Sequence, residues 1–76
     1  MEPEALRAVI SANIRRLADA RSITLPVLAD LAGLARGAFY RVVNAEASAT
    51  SDTLAKIAAV LEVPPRELLD ERLVKP

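Results

Sequence analysis

The chain has 76 residues with ten basic and ten acidic side chains, a net charge of zero, no cysteine and no histidine. Hydrophobic residues make up 53% but aromatics only 3%, Phe39 and Tyr40, so the core of what reads as one domain, residues 1–76, must come from Leu, Ile, Val and Ala. This composition excludes disulfides and thiolate metal ligands, and no apolar run approaches the ~20 residues that span a bilayer.

The first predicted element is an amphipathic helix. Pro3 suits a first helical turn, where its missing N–H is no loss. Leu6, Val9, Ile10, Ile14, Leu17 and Ala18 then recur at three- and four-residue steps to about Arg21. Thr24 is placed to N-cap a second helix, with Pro26 tolerated in its first turn, ending near Ala32. Gly33 can take the left-handed conformation of a tight turn. A third helix follows over residues 36–43. Leu28, Ala29 and Ala32 face inward before the turn, and Leu34, Phe39 and Val42 after it. Two short apolar-striped segments joined at a glycine are the pattern of a helix-turn-helix, whose second helix enters the DNA major groove.

Residues 44–52 are polar and read as a loop. Thr50 or Ser51 caps a fourth helix with Leu54, Ile57, Ala58 and Leu61 on one stripe. Pro64-Pro65 stops it and begins a short fifth helix with Leu68, Leu69 and Leu73. No segment alternates with period two, so the fold expected is all-α. The apolar residues Leu28, Ala29, Leu34, Phe39, Val42, Leu54, Ile57 and Leu61 are core rather than a ligand pocket, since helical spacing accounts for them.

The order of helices and the residues of the middle resemble the Cro/C1-type helix-turn-helix regulators, the XRE family. The likeness covers residues 10–69. It rests on Ile14-Arg15-Arg16-Leu17, on Leu28-Ala29 followed by Ala32-Gly33-Leu34, and on Phe39 and Val42. The spacing from Asn44 to Thr53-Leu54 also fits, as do Ile57-Ala58, Leu61, Val63 and Glu67-Leu68-Leu69. The resemblance implies a compact five-helix, phage-repressor-like DNA-binding domain with its recognition helix at residues 35–44. The chain differs from the family's usual residues at Leu25, Ala35, Val43 and Ala45. Those positions commonly hold a phosphate-binding Gln, a capping Ser, an acidic partner for Arg15, and Gly. The loop at Glu46-Ala47-Ser48, often basic in the family, is not basic here.

On such a helix the outward positions are those that Phe39 and Val42 leave free. Arg36, Gly37, Tyr40 and Arg41 are therefore the base-reading candidates. A guanidinium can bond guanine O6 and N7 together; the alternative for Arg36 is a solvated arginine. Tyr40 could instead be partly buried. Gly37 costs about 1 kcal/mol inside a helix relative to alanine, so it either admits close approach of DNA or is incidental. Thr24, Asn44, Arg15 and Arg16 are the phosphate-contact candidates. Asn at a helix end is also an ordinary cap, and the alternative for Arg15, Arg16 and Arg21 is a solvated face, the favoured reading for Arg16 and Arg21. Leu68, Leu69, Leu73 and Val74 could form a dimer contact or close the monomer's own core.

The function expected is sequence-specific DNA binding by a transcriptional regulator, a repressor, acting as a homodimer on an inverted repeat in double-stranded DNA. Zero net charge, Leu25 and the mostly acidic residues 62–71 favour an alternative, a protein-interaction module on the same fold. No enzyme, metal or cofactor is expected, because the commonest bases, nucleophiles and metal ligands are missing and only Gly33 and Gly37 could serve a phosphate loop. Residues 1–10 carry no signal-peptide pattern, so a cytoplasmic protein with no membrane partner is expected, nucleoid-associated when bound to DNA.

Overall fold

The computed structural model describes residues 1–73; Val74 lies outside the described residues. Four α-helices form in chain order: α1 (Pro3–Ala20), α2 (Leu25–Leu31), α3 (Arg36–Val43) and α4 (Ser51–Leu61). Two 3₁₀ turns follow, Pro65–Leu68 and Glu71–Leu73, and no strand occurs among the described residues.

The helix starts follow sequence chemistry only in part. Pro3 opens α1 and Glu4 lies in its first turn, where an acid suits the helix dipole. Thr50 caps α4, its Oγ1 accepting from the Thr53 N–H at 3.1 Å. Thr24 holds the N-cap position of α2 but its side chain makes no capping bond, and Ala35 gives α3 none.

All four helices end in the same way. A left-handed residue follows each C-terminus within two positions: Ser22 at φ 55°, Gly33 at 70°, Ala45 at 60° and Glu62 at 57°. The following N–H then reaches back five residues, as Ile23 to the Ala18 carbonyl at 2.9 Å, Leu34 to Ala29 at 2.9 Å, Glu46 to Arg41 at 2.8 Å and Val63 to Ala58 at 3.1 Å. This Schellman closure satisfies carbonyls that a helix end leaves open. Only one of the four positions is glycine, and a Cβ in the left-handed region costs roughly 1–2 kcal/mol. Glycine's greater freedom when unfolded offsets part of that. Ala45→Gly is therefore expected to stabilise the protein by about 0.5–1 kcal/mol and raise its melting temperature by roughly 2–8 °C, read by thermal unfolding.

One cluster of buried side chains joins the elements: Ile10, Ile14 and Ala18 of α1, Leu28 and Ala29 of α2, Phe39, Val42 and Val43 of α3, Ile57, Ala58 and Leu61 of α4, and Leu68. α1 packs against α3, against α2 and α4, and against the first 3₁₀ turn. Leu34 and Leu54, expected inside, are only half-buried. Val43 is fully buried instead, because it lies one helical turn after Phe39 on the same face and completes the i, i+3, i+4 set with Val42.

The expected fifth α-helix is not formed. Bonds there run three residues back, Glu67 N–H to the Pro64 carbonyl at 3.0 Å and Leu69 to Arg66 at 3.1 Å. Two side chains divert the groups an α-helix would use. The Asp70 carboxylate accepts the Arg72 N–H at 2.9 Å. The buried Asn13 amide donates to the carbonyls of Leu68 and Asp70, both at 3.1 Å. Leu68 is fully buried, so it closes the monomer's core and is not available as a dimer contact. Leu69 is 41% exposed and Leu73 half-buried.

Candidate DNA-binding face

The orientation of α3 follows from its apolar face. Phe39, Val42 and Val43 are buried against the core, which turns Arg36, Gly37, Ala38 and Arg41 outward, all exposed. Tyr40 is half-buried, packed against the core with its ring edge-on to Phe39 at 5.8 Å between centroids. From residue 31 to residue 45 the chain carries Arg36 and Arg41 and no acidic residue. The zero net charge thus hides a local excess of positive charge on this helix. A Cβ added at Gly37 would meet nothing within 4 Å, and its backbone is ordinary helix. The protein's own packing therefore does not require a glycine there.

α1 brings a third arginine to the end of α3. Arg15 Nη2 donates to Asn44 Oδ1 at 2.8 Å and to the Val43 carbonyl at 3.4 Å. These acceptors are neutral, so the bonds orient Arg15 without cancelling its charge. A cation also suits the negative end of a helix. Ser11 Oγ donates to the same Val43 carbonyl, which fastens α1 to α3 a second time. Arg15, Arg16 and Thr24 line one shallow groove between the end of α1 and the start of α2, together with Asp19. All four phosphate-contact candidates are thus joined in space, three along the groove and Asn44 through its bond to Arg15. Arg16 also gives a long bond, 3.4 Å, to Asn13 Oδ1. Arg21 is paired with Glu62 at 2.6 Å.

Arg36 does not stand alone. Its Nε donates to Asp30 Oδ1 at 3.2 Å and its Nη2 to Asp30 Oδ2 at 2.8 Å, a bidentate pair across the turn. Hydrogen bonding from Arg36 holds the Asp30 carboxyl below its usual range, and the same contact raises the guanidinium above its own. Sequence reading missed this partner, although opposite charges six residues apart across a tight turn are a usable signal. It also missed Asn13, whose signal is a polar residue within the apolar stripe of α1.

Two short helices joined by a left-handed glycine, the second docked by one face and presenting the other, define a helix-turn-helix DNA-binding domain. The chain belongs to the Cro/C1-type HTH DNA-binding domain family, whose model matches residues 13–70. Among solved structures it is similar to the crystal structure of the restriction-modification controller protein C.AhdI from Aeromonas hydrophila. The two share 28% identity with a TM-score of 0.78, over 84% of this chain and 97% of that one. A comparison with curated proteins finds no match. No helix among the described residues is long and apolar enough to cross a membrane.

Proposed function

We propose that this protein is a sequence-specific transcriptional regulator, a repressor, which binds an inverted repeat as a homodimer with α3 in the major groove. The observation that carries the reading is the outer face of α3, where Arg36, Gly37 and Arg41 are exposed opposite a fully packed apolar face. Arg36, Tyr40 and Arg41 read base edges, and Gly37 lets the backbone come close. Arg15, Arg16, Thr24 and Asn44 hold the flanking phosphates. The likeness to a controller protein supports the regulatory role. The whole chain, residues 1–76, acts as one such unit, on the nucleoid when DNA is bound. Leu69 and Leu73 contribute to the dimer contact, which sets half-sites about one helical turn, ~10 base pairs, apart.

The test is selection of bound sequences from a random double-stranded DNA pool at two salt concentrations. A palindrome with guanine in each half-site, bound more weakly at higher salt, is the expected result. Folded protein that enriches nothing at low salt would overturn it. The second reading, a module that binds another protein, draws on Val27 and Leu31. They lie one turn apart on α2 and are 47% and 63% exposed. A pull-down that recovers a tight partner from protein without DNA preference would favour it.

Gly37→Ala separates folding from binding. It is expected to raise stability by about 0.5–1 kcal/mol in urea unfolding, because alanine is the better helix former. Affinity for the selected site is expected to fall in the same variant. Unchanged affinity would make the glycine incidental.

A further inference from the structure

We infer that Asp30 is a specificity-determining residue, a buttress that fixes the Arg36 guanidinium so that its free edge faces a guanine. The inference rests on the proposed role of Arg36 in reading a base. A guanidinium has five N–H groups in a rigid fork. Asp30 takes Nε–H and one Nη2–H, the side edge. The end edge, formed by Nη1 and the second hydrogen of Nη2, keeps two parallel donors, and two parallel donors are what guanine O6 and N7 accept. An arginine held on one edge loses less side-chain freedom when it binds with the other, so more of the hydrogen-bond energy appears as discrimination.

Helix electrostatics do not account for the pair. Arg36 is the first residue of α3, at the positive end of that helix, and Asp30 lies in the last turn of α2, at the negative end. Each charge stands at the end of its own helix that disfavours it. A carboxylate beside the recognition helix also repels phosphates, which lowers affinity for any DNA. Both costs are understandable if the carboxylate serves base choice rather than folding or general affinity.

The test measures binding of wild type, Asp30→Ala, Asp30→Asn, Arg36→Ala and the double variant Asp30→Ala/Arg36→Ala. Each is titrated with the selected site, with the four bases in turn at the position where Arg36→Ala relaxes preference, and with unrelated DNA at the same salt. Thermal unfolding confirms that each variant is folded. Asp30→Ala is expected to bind unrelated DNA more tightly while its preference for guanine falls by about three- to tenfold per half-site. Asp30→Asn, which keeps an acceptor, should retain part of the preference. In the Arg36→Ala background, removing Asp30 should leave base preference unchanged, which a merely structural role would not produce. If Arg36→Ala relaxes preference but Asp30→Ala leaves it intact or sharpens it, Asp30 is no buttress and the inference fails by itself. If Arg36→Ala relaxes preference nowhere, the base-reading role fails and the inference with it.

Discussion

Asn13→Asp is expected to cost about 3–5 kcal/mol, a large part of the ~4–11 kcal/mol expected for a chain of this length. Asn13 is fully buried on the core side of α1. A primary amide has two hydrogens to give, and both are given, to the carbonyls of Leu68 and Asp70 at 3.1 Å each. An ionised carboxylate has none. Three acceptors would then face one another in the interior, with a charge compensated only by Arg16 at the edge of the site. Asn13→Ala removes the donors without adding the charge, so its cost should be smaller, about 2–4 kcal/mol. Urea unfolding of both variants orders them. An aspartate variant within 1 kcal/mol of the wild type would mean that Asn13 does not fasten the C-terminal segment. The consequence reaches the proposed function, because Leu69 and Leu73, the proposed dimer contact, belong to that segment. A loosened segment should weaken dimerisation, and with it DNA binding, while every residue of α3 remains unchanged.

The sequence carries the four α-helices because each is written as local periodicity with punctuation: Pro3 at a start, Gly33 at a turn, Thr50 at a cap, Pro64-Pro65 at a stop. What it does not carry is set by partners distant in sequence. The C-terminal leucines keep helical spacing, yet the fifth helix fails because Asn13, 55 residues away from Leu68, takes a carbonyl of that segment. Ser22 and Glu62 give no signal for the left-handed turns they make, and Ala45 gives one only through the glycine common at its position in the family. At the site, periodicity correctly turns Arg36 and Arg41 outward but says nothing of what holds them. Asp30 and Asn44 become partners of Arg36 and Arg15 only when α2, α3 and α1 are packed. Of the residues that differ from the family's usual pattern, Ala45 strains its turn and Ala35 leaves α3 uncapped, but Val43 is accommodated. Val43 occupies the place of an acidic partner for Arg15, and its own carbonyl with the Asn44 side chain accepts from Arg15 instead.

Arg36→Ala is expected to have the largest effect on DNA binding of any single exposed substitution. Loss of the proposed bidentate recognition of one guanine should lower discrimination by about ten- to a hundredfold. The proposed symmetric homodimer would carry the change twice, so the effect on a palindromic site is about the square, ~100-fold to 10,000-fold, if the half-sites contribute independently. Binding to unrelated DNA should change far less. What change there is should be a loss, because the missing cation and the Asp30 carboxylate left unpaired both act against the phosphates. Folding should be close to wild type, because the Asp30–Arg36 pair is exposed on both sides, with 57% and 58% of the two side chains accessible. Arg15→Ala offers the contrast. It removes a proposed phosphate contact, an arginine held by Asn44, so affinity should fall for every sequence alike and the salt dependence should become shallower. The measurement is a titration of both variants with selected and unrelated DNA over a range of salt. Loss of site preference in Arg36→Ala with an unchanged pattern in Arg15→Ala would assign reading to α3 and anchoring to α1. Equal, sequence-independent losses in both would reduce Arg36 to a phosphate contact and move base reading to Tyr40 and Arg41.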